Sequence, residues 1–210
     1  MGGLRPSRVF TNLLMSNLVT LADYKDAEGI VSPKEDLRIN SLIPSVSQLV
    51  KTYCGNSIID FASSDKTEDF DIYWDTFAVQ LTESPVISVS SVGERSGYDQ
   101  SYTTLTTGAY EYYLDTRTDS IVRTNESGTR LNWKQGVGAV RVVYRAGYSS
   151  TPEDLKLAIF DLITYYLKDE HKERRTLGAA SITNTASTSQ RDNVAFPDHI
   201  KRVLDLYKNF

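Results

Sequence analysis

The sequence predicts an α+β protein: a helical body of two N-terminal helices and one long C-terminal helix, a large inserted antiparallel β-rich element, and a mobile C-terminal arm ending in a short helix. Three observations predict this fold. Apolar residues recur at helical spacing near both ends of the chain. Short β-prone runs, separated by clusters of Asp, Ser, Thr and Gly, fill the middle. A small, polar stretch then isolates a last amphipathic run.

The boundaries of the predicted segments follow from these changes of pattern. At 210 residues the chain is long enough to bury a sizeable core. We divide it into an N-terminal extension (1–19), N-terminal helices (20–56), a β-rich insertion (57–146), a long helix completing the body (147–176), and a linker with a docking helix (177–210).

The first helix is predicted from its two ends. Thr20 followed by Asp23 matches a capping box, in which each residue satisfies a backbone N–H of the other. Gly29 supplies the left-handed residue that commonly follows a helix. The pattern therefore predicts a short helix over residues 21–28.

The second helix is predicted to follow at once. Ser32 is a candidate N-cap, Pro33 occupies the tolerated first position, Glu35 completes a capping box and Gly55 ends the run. Apolar residues between them recur at helical spacing and mark one buried face. Pro44 lies inside this pattern, removes one backbone donor and predicts a kink.

The middle of the chain predicts strands. Within it, "YLDTRTDSIVRT" is typical of a hairpin with its turn at residues 116–119. The predicted β-prone segments are "SIIDFAS", "FDIYWDTFAVQL", "PVISVSSV", "AYEYYLD", "SIVRT" and "AVRVVYRAGY".

The third helix has a strongly marked start and an unusually wide apolar surface. Thr151 is the predicted cap, Pro152 the first helical residue, and the helix is predicted to run to about Arg175. One apolar stripe faces the core, and further apolar residues lie on a second side, which is more than a small monomer usually buries. The candidates for a subunit interface on this second side are Leu157, Phe160 and Leu167.

The end of the chain predicts a linker and a marginal helix. Residues 177–195 are small and polar, with almost nothing to bury. A helix restarts at Pro197, with a narrow apolar stripe over barely four turns. Because so short a helix is marginal alone, it must dock, either on its own body or on a partner.

Composition excludes several classes of function. The net charge of -4 and the pI near 5.3 argue against a protein that grips nucleic acid through a broad basic face. Cys54 is the single cysteine, so an intrachain disulfide and a multi-thiolate metal site are both excluded. The N-terminal stretch lacks an apolar run long enough for a signal peptide or a membrane span. We therefore expect a protein made in the cytoplasm and without a membrane partner.

No catalytic motif is found, so we expect no enzyme activity, no cofactor and no metal. The nucleophile elbow, the phosphate-binding glycine loop and the dinucleotide fingerprint are absent. His171 and His199 are both interpreted as surface residues. The acidic run over residues 65–75 lacks the glycine and terminal glutamate of a calcium loop, which favours a solvated loop running into a strand.

One alternative stays open in the β-rich middle. Four tyrosines there could stack against a sugar, which would make the protein a glycan-binding or glycan-cleaving module. Packing on strand faces is the more frequent role, because Tyr is a favoured strand residue. The four are Tyr102, Tyr110, Tyr112 and Tyr113.

The order of the segments resembles a known family. "VTLADYKDAEGI", "LRINSLIPSVSQLVKTYCG", "PVISVSSV" and "VRVVYRAGYSSTPEDLKLAIFDLITYYLKDE" follow one another over about residues 18–175 as in the head-tail connector, or adaptor, proteins of tailed bacteriophages. The resemblance implies a ring, usually of twelve copies, beneath the portal at the head-tail joint of the virion, assembled in the host cytoplasm. DNA would pass through the ring without sequence-specific binding, and no catalysis is expected.

The resemblance also implies partners. Besides sister copies and the portal protein, a head-closure or tail protein is expected on the opposite side of the ring. Another head-closure or tail-completion protein of the same neck is an alternative identity. Because family members commonly dock on the portal through their C-terminal segment, the portal-docking candidates are Ile200, Val203, Leu204, Tyr207 and Phe210.

Overall fold

Helices from both ends of the chain pack together, and the strands between them form a separate β element, which confirms the predicted α+β class. The computed structural model describes residues 16–107, 110–169, 174–177, 180–183 and 196–208. The described helices are α1 (Leu21–Glu28), α2 (Asp36–Cys54), α3 (Glu153–Leu167) and α4 (Asp198–Leu204), the last continued by a 3₁₀ turn over Asp205–Tyr207. The described strands are β1 (Lys66–Ile72), β2 (Ala78–Gln80), β3 (Val86–Glu94), β4 (Thr103–Leu105), β5 (Tyr112–Asp115), β6 (Ser120–Arg123), β7 (Gly136–Ala146), β8 (Arg174–Leu177) and β9 (Ala180–Thr183).

Helix α1 forms as the sequence predicts. The Thr20 hydroxyl accepts a hydrogen bond from the Asp23 N–H at 3.1 Å, and the Asp23 carboxylate accepts one from the Thr20 N–H at 3.0 Å. Gly29 ends the helix with a φ of 65°. The capping box and the stop signal are therefore both confirmed.

This cap yields a first testable prediction. Replacing Thr20 by Ala removes the acceptor for the Asp23 N–H, so we expect the free energy of unfolding to fall by about 1 kcal/mol in urea denaturation. Ser32→Ala is the matched control, because the Ser32 hydroxyl accepts only from the exposed Lys34 N–H, at 3.3 Å. Its expected change is within about 0.5 kcal/mol. Equal losses in the two variants would contradict the capping role.

Helix α2 starts later than predicted. It begins at Asp36, and the residue before it, Glu35, makes no side-chain capping bond, so the predicted Ser32 capping box is wrong. The Lys25 ammonium contacts the Ser32 carbonyl at 3.2 Å and the Asp36 carboxylate at 2.8 Å. This tertiary ion pair holds the first turn from outside the helix. The predicted end at Gly55 is confirmed, with a φ of 76°.

The helical body encloses one continuous apolar core. Its central side chains, each at most 1% exposed, come from α2, α3 and α4 together. They are Ile39, Val50, Leu155, Ile159, Leu162, Ile163, Ile200 and Leu204. The C-terminal helix is therefore part of the core of the body.

Two antiparallel sheets make the β element. One has the strand order β1-β7-β3-β4 and the other β2-β6-β5. Val92 of β3 faces Val142 of β7 in the ladder, and both side chains are fully buried. The hairpin predicted around residues 116–119 is confirmed by the pairing of β5 with β6.

A buried carboxylate joins the helical body to the β element. Glu83 is 6% exposed and accepts hydrogen bonds from the N–H and the hydroxyl of Ser57, at 2.7 and 2.8 Å, directly after α2. Its other oxygen contacts the Lys66 ammonium at 3.0 Å. The Tyr144 hydroxyl donates to Glu68 at 2.8 Å beside this pair. Because each of these groups has a partner, the joint satisfies polar groups that burial would otherwise penalise.

The stretch "SIIDFAS", predicted as a strand, is instead a turn between α2 and β1. Ile58 has a φ of 66° and is 1% exposed, within the helical core. Its carbonyl accepts a hydrogen bond from the Tyr148 N–H at 2.7 Å, and the Phe61 carbonyl accepts one from Ala146 at 3.2 Å. These contacts with the end of β7 override the local β propensity.

Thr151 does not cap α3, contrary to prediction. Helix α3 begins at Glu153 without a side-chain capping bond. The Thr151 hydroxyl donates instead to the Leu18 carbonyl at 2.5 Å, and the Leu18 N–H donates to the Ser47 hydroxyl at 3.0 Å. The buried Leu18 is thus fixed to α2 and to the segment that leads into α3, while residues 1–15 lie outside the described part of the chain.

Helix α3 is shorter than predicted and the stretch after it is not all linker. The helix ends at Leu167 rather than near Arg175, and Asp169 adopts a φ of 56°, which turns the chain. Strands β8 and β9 then pair as a hairpin that the small, polar composition does not indicate. His171, predicted near the end of α3, lies outside the described residues, as do residues 178–179 and 184–195 of the predicted linker.

Candidate functional site

The described residues offer no site for metal chemistry and no membrane span. No group of three or more His, Cys, Asp or Glu in that part of the chain is placed to hold a metal ion. Among the helices described, none combines the length and the apolar character needed to cross a membrane. Acidic residues of β1 have partners within the protein. The Asp69 carboxylate, for example, accepts two hydrogen bonds from the Arg141 guanidinium, at 2.7 and 2.8 Å. Exposed apolar surfaces and helix grooves mark contacts with other proteins, and such surfaces are candidate functional regions.

The first surface is the groove of α2 and α3 that contacts α4, here called the α4 groove. Helix α4 runs antiparallel to α3, because His199 lies 3.8 Å from Asp161 while the Tyr207 hydroxyl donates to Asp154 at 2.5 Å. From α2, the Tyr53 hydroxyl donates to Asp205 at 2.6 Å. Hydrogen bonds of Asp205 and Tyr207 thus hold the 3₁₀ turn that follows α4 in the groove.

The floor of the α4 groove is apolar and closed to solvent. The Cys54 thiol lies 3.6 Å from the Leu204 carbonyl, and burial raises the pKa of this thiol to about 12. The ring of Phe196 packs edge-on against Tyr53, with 5.2 Å between the ring centres. Burial, reinforced by the bond to Asp154, also raises the pKa of Tyr207. These groups stay uncharged at neutral pH, as a dry helix-helix contact requires.

The structure places the predicted portal-docking residues in this groove. Ile200 and Leu204 are 1% and 0% exposed, and Val203 and Tyr207 pack at its edge. Phe210 lies outside the described residues. The prediction that a linker isolates this helix from the body is wrong, because the apolar stripe is already covered by α2 and α3.

The predicted interface residues of α3 divide into three environments. Leu157 is 62% exposed and remains available for a neighbour. Phe160 is 9% exposed, since its ring packs edge-on against Tyr24 of α1 at 5.9 Å. Leu167 packs half-buried at the margin of the helical core. On the second apolar side of α3, Phe160 is therefore covered by α1 of the same chain, which sequence spacing alone did not indicate.

A second exposed apolar surface lies where α1 turns into α2. Val31 and Leu37 are 93% and 88% exposed, although both are strongly apolar. A cleft of about 370 Å³ opens beside them, lined in part by Ile30 and Leu167. Neither residue belongs to the apolar face that helical spacing marks on α2, so the spacing did not indicate this surface.

A third exposed surface lies at the end of the β element farthest from the body, here called the β tip. Tyr73 and Trp74 are 64% and 71% exposed, with 6.3 Å between their ring centres. The loop that carries them is fixed to the start of β7, where Gln135 donates to Asp75 at 2.9 Å. β7 runs from here to the body over 11 residues, or about 35 Å. The signal in the sequence is an aromatic pair between aspartates at the end of a strand.

The four tyrosines of the alternative interpretation do not form one platform. Tyr112 is 7% exposed and belongs to the core of the β element. Tyr102 lies between two guanidinium groups, those of Arg95 at 4.5 Å and Arg141 at 4.4 Å from its ring centre. The other two, Tyr110 and Tyr113, are 66% and 42% exposed.

Comparison with known proteins decides the family. The model of the head completion protein family matches residues 17–210, nearly the whole chain. The chain belongs to the head completion protein family. A head completion protein of Escherichia phage T5 is 22% identical over 192 residues, which cover 91% of this chain and 98% of that protein. The resemblance to the head-tail connector, or adaptor, proteins of tailed bacteriophages is thereby confirmed.

Solved structures share the fold. A chain from the neck of an empty GTA particle computed with C6 symmetry is 18% identical, with a TM-score of 0.56 and coverage of 92% of this chain and 90% of that one. A chain from the neck of a native GTA particle computed with C12 symmetry is 16% identical, with a TM-score of 0.54 and coverage of 94% and 96%. At these identities the likeness establishes that this chain shares its fold with them.

Proposed function

We propose that this chain forms the adaptor ring of a tailed-bacteriophage neck, in which twelve copies make a closed ring beneath the portal. The match to the family model over residues 17–210 carries the proposal. The likeness to chains from particle necks computed with C6 and C12 symmetry supports a ring. The portal lies on one side of the ring and a head-closure or tail protein on the other. DNA passes through the ring, and the protein catalyses no reaction.

The exposed apolar side chains support a subunit that is completed by neighbours. Among the described residues they include Val31 and Leu37 at the α1-α2 turn, Leu157 on α3, and Tyr73 and Trp74 at the β tip. Exposed apolar surface of this kind marks contacts with other proteins. In a closed ring, each subunit needs two different surfaces, one for each neighbouring subunit. It needs further surfaces for the proteins above and below the ring.

The net charge supports passage of DNA rather than a tight grip on it. At -4, the chain has no overall surplus of Lys and Arg to neutralise phosphates. The basic side chains of the β1-β7 ladder are paired with carboxylates, as Arg145 is with Asp65 at 2.9 Å. A channel lined by such subunits lets a duplex slide.

The direct test is assembly on the portal. Purified protein mixed with purified portal rings is expected to give a closed ring of this chain stacked on the portal, measured by light scattering and by electron microscopy with symmetry analysis. The protein alone serves as the reference state. Absence of any association between the two proteins, over a range of salt and protein concentration, would overturn the proposal.

Leu157 provides a test of the ring contact. Leu157→Asp places a charge on an exposed side chain, so we expect the subunit to stay folded while ring formation weakens at least about tenfold, or about 1.4 kcal/mol. The yield of rings on portal, measured by sedimentation, reads this out. Leu157→Met keeps the apolar contact and is expected to assemble normally. If Leu157→Asp formed rings as well as the wild type, we would conclude that this side of α3 is not part of the contact between subunits.

The glycan alternative has less support. Because Tyr112 is buried, it cannot stack against a sugar. Tyr110, two residues earlier in the chain, is exposed. A glycan array separates the two functions. Saturable sugar binding that Tyr110→Ala abolishes would favour the glycan-binding module over the adaptor.

A further inference from the structure

Two exposed leucines project from opposite sides of the helical body. Leu37 of α2 is 88% exposed and lies two residues before Ile39, which is fully buried in the core. Leu157 of α3 is 62% exposed and lies two residues before Ile159, which is fully buried in the same core. Residues two apart on a helix are separated by about 200° around its axis. Because α2 and α3 bury their inner faces in one core, the two leucines point away from each other.

The surface beside Leu37 is a cleft with an apolar floor, here called the α1-α2 cleft. Ile30, Ile39 and Leu167 line it, and its volume is about 370 Å³. Val31, which is 93% exposed, lies at its side. A cavity of roughly 150 Å³ is large enough to bind benzene, so the α1-α2 cleft has room for an aliphatic side chain from another molecule.

The rim of the α1-α2 cleft is basic. Lys34, Arg38 and Lys168 line it, together with the carboxylate of Glu35. Asp169 lies 3.4 Å from Arg38. Counting Asp169, three positive and two negative charges leave a net charge of +1 around the cleft. The cleft therefore favours a partner that combines an apolar side chain with carboxylates.

The surface around Leu157 has this combination and is here called the acidic ridge. Glu153 and Asp161 lie four residues before and after Leu157, so the three exposed side chains form one row along α3. With Asp154 and Lys156, the helix carries three carboxylates and one ammonium, a net charge of -2. The helices packed beside it, α1 and α4, carry net charges of -2 and +1, so the ridge stays negative.

We propose that, in the assembled ring, the acidic ridge of one copy packs into the α1-α2 cleft of the adjacent copy. Leu157 then lies between Val31 and Leu37, with Glu153 and Asp161 facing the basic rim. The proposal rests on the proposed adaptor ring and adds which surfaces its subunits use. A closed ring needs two different, complementary surfaces on each subunit, and opposite charges across such a contact fix its register.

Paired cysteines test the contact directly. Leu37→Cys with Leu157→Cys places the two thiols on opposite sides of the body, too far apart for a disulfide within one copy. In rings assembled on portal and then oxidised with diamide, we expect a ladder of covalently linked copies on a non-reducing gel. The unassembled chain is expected to stay monomeric. Cys54 does not interfere, because it is buried and burial raises the pKa of its thiol to about 12.

A matched variant shows whether the link depends on position. Leu206→Cys with Leu157→Cys keeps the thiol on the ridge and moves the other to a side chain that is 76% exposed on the turn after α4. This pair is expected to give no ladder in the same rings.

Charge reversal tests the complementarity. Lys34→Glu with Arg38→Glu reverses the rim, and Glu153→Lys with Asp161→Lys reverses the ridge. Either pair alone sets like charges against each other, so we expect the yield of rings, measured by sedimentation, to fall at least about tenfold. All four substitutions together restore opposite charges at every contact, and the yield is expected to recover. Circular dichroism verifies that each variant is folded.

The outcomes separate this proposal from the adaptor function. Linked copies in the rings and recovery of assembly by the fourfold variant support the contact. Rings that form normally, give no linked copies and tolerate both reversals would overturn it and leave the adaptor ring intact. Failure of the unoxidised wild-type chain to form rings on portal would overturn the proposed function itself, and this contact with it.

Discussion

Leu204→Asp is expected to lower the free energy of unfolding of the isolated subunit by about 4 kcal/mol or more. Leu204 is fully buried at the centre of the contact among α2, α3 and α4. The substitution removes an apolar side chain whose burial contributes about 2–3 kcal/mol and places a carboxylate in the apolar core, where burial of a charge is costly. Because the free energy of unfolding of natural domains is only about 5–15 kcal/mol, a loss of this size is expected to unfold a large part of the population.

Denaturation in urea, followed by circular dichroism, measures this loss. Leu206→Asp is the matched control, since Leu206 lies two residues further along and is 76% exposed. Its stability is expected to stay within about 0.5 kcal/mol of the wild type. Removal of residues 196–210 should resemble Leu204→Asp and leave Cys54 reactive toward thiol reagents. A truncated chain with native stability would mean that α4 is not part of the core.

Leu162→Asp is expected to prevent folding of the helical body. Leu162 is fully buried in α3, between residues that contact α2, and the new charge would have no partner there. The unpaired buried carboxylate and the lost apolar burial together cost several kcal/mol, about the whole stability of a domain of this size. The expected result is insoluble protein, or a soluble chain that lacks a cooperative thermal transition in calorimetry.

The control for Leu162→Asp lies five residues earlier on the same helix. Leu157→Asp introduces the same side chain at a position that is 62% exposed, so the monomer should melt cooperatively and within a few degrees of the wild type. Comparable unfolding of the two variants would indicate a general sensitivity of α3 to charge. Native-like Leu162→Asp would refute the assignment of this face to the core.

Local signals determined some helix ends and failed at others for a physical reason. The Thr20–Asp23 box and the glycines after α1 and α2 act through backbone groups within a few residues, so the sequence carries their whole cause. At Ser32 and Thr151 the same residue types have other partners. Thr151 bonds to Leu18, which lies 133 residues away in the chain. Such a long-range acceptor leaves no mark in the local pattern.

For the candidate surfaces, too, the local pattern indicated part of the outcome and long-range packing decided the rest. The apolar stripe of α4 was evident from spacing, and so was its need to dock. The spacing could not distinguish between α2 and α3 of the same chain and an outside partner, because each presents an apolar surface. Likewise, Phe160 was identified as apolar beyond the main stripe, but only the position of α1 decided that Tyr24 covers it.

By itself, the sequence determined the α+β class, the N-cap of α1, the glycine ends of α1 and α2, the β5-β6 hairpin and, through the order of its segments, the resemblance to head-tail connector proteins. These follow from periodicity, propensity and collinear motifs, all of which act over short stretches of chain. Only the tertiary structure decided which apolar surfaces are used up within one subunit and which stay exposed. That outcome depends on how helices distant in sequence pack against one another, and no local pattern records it.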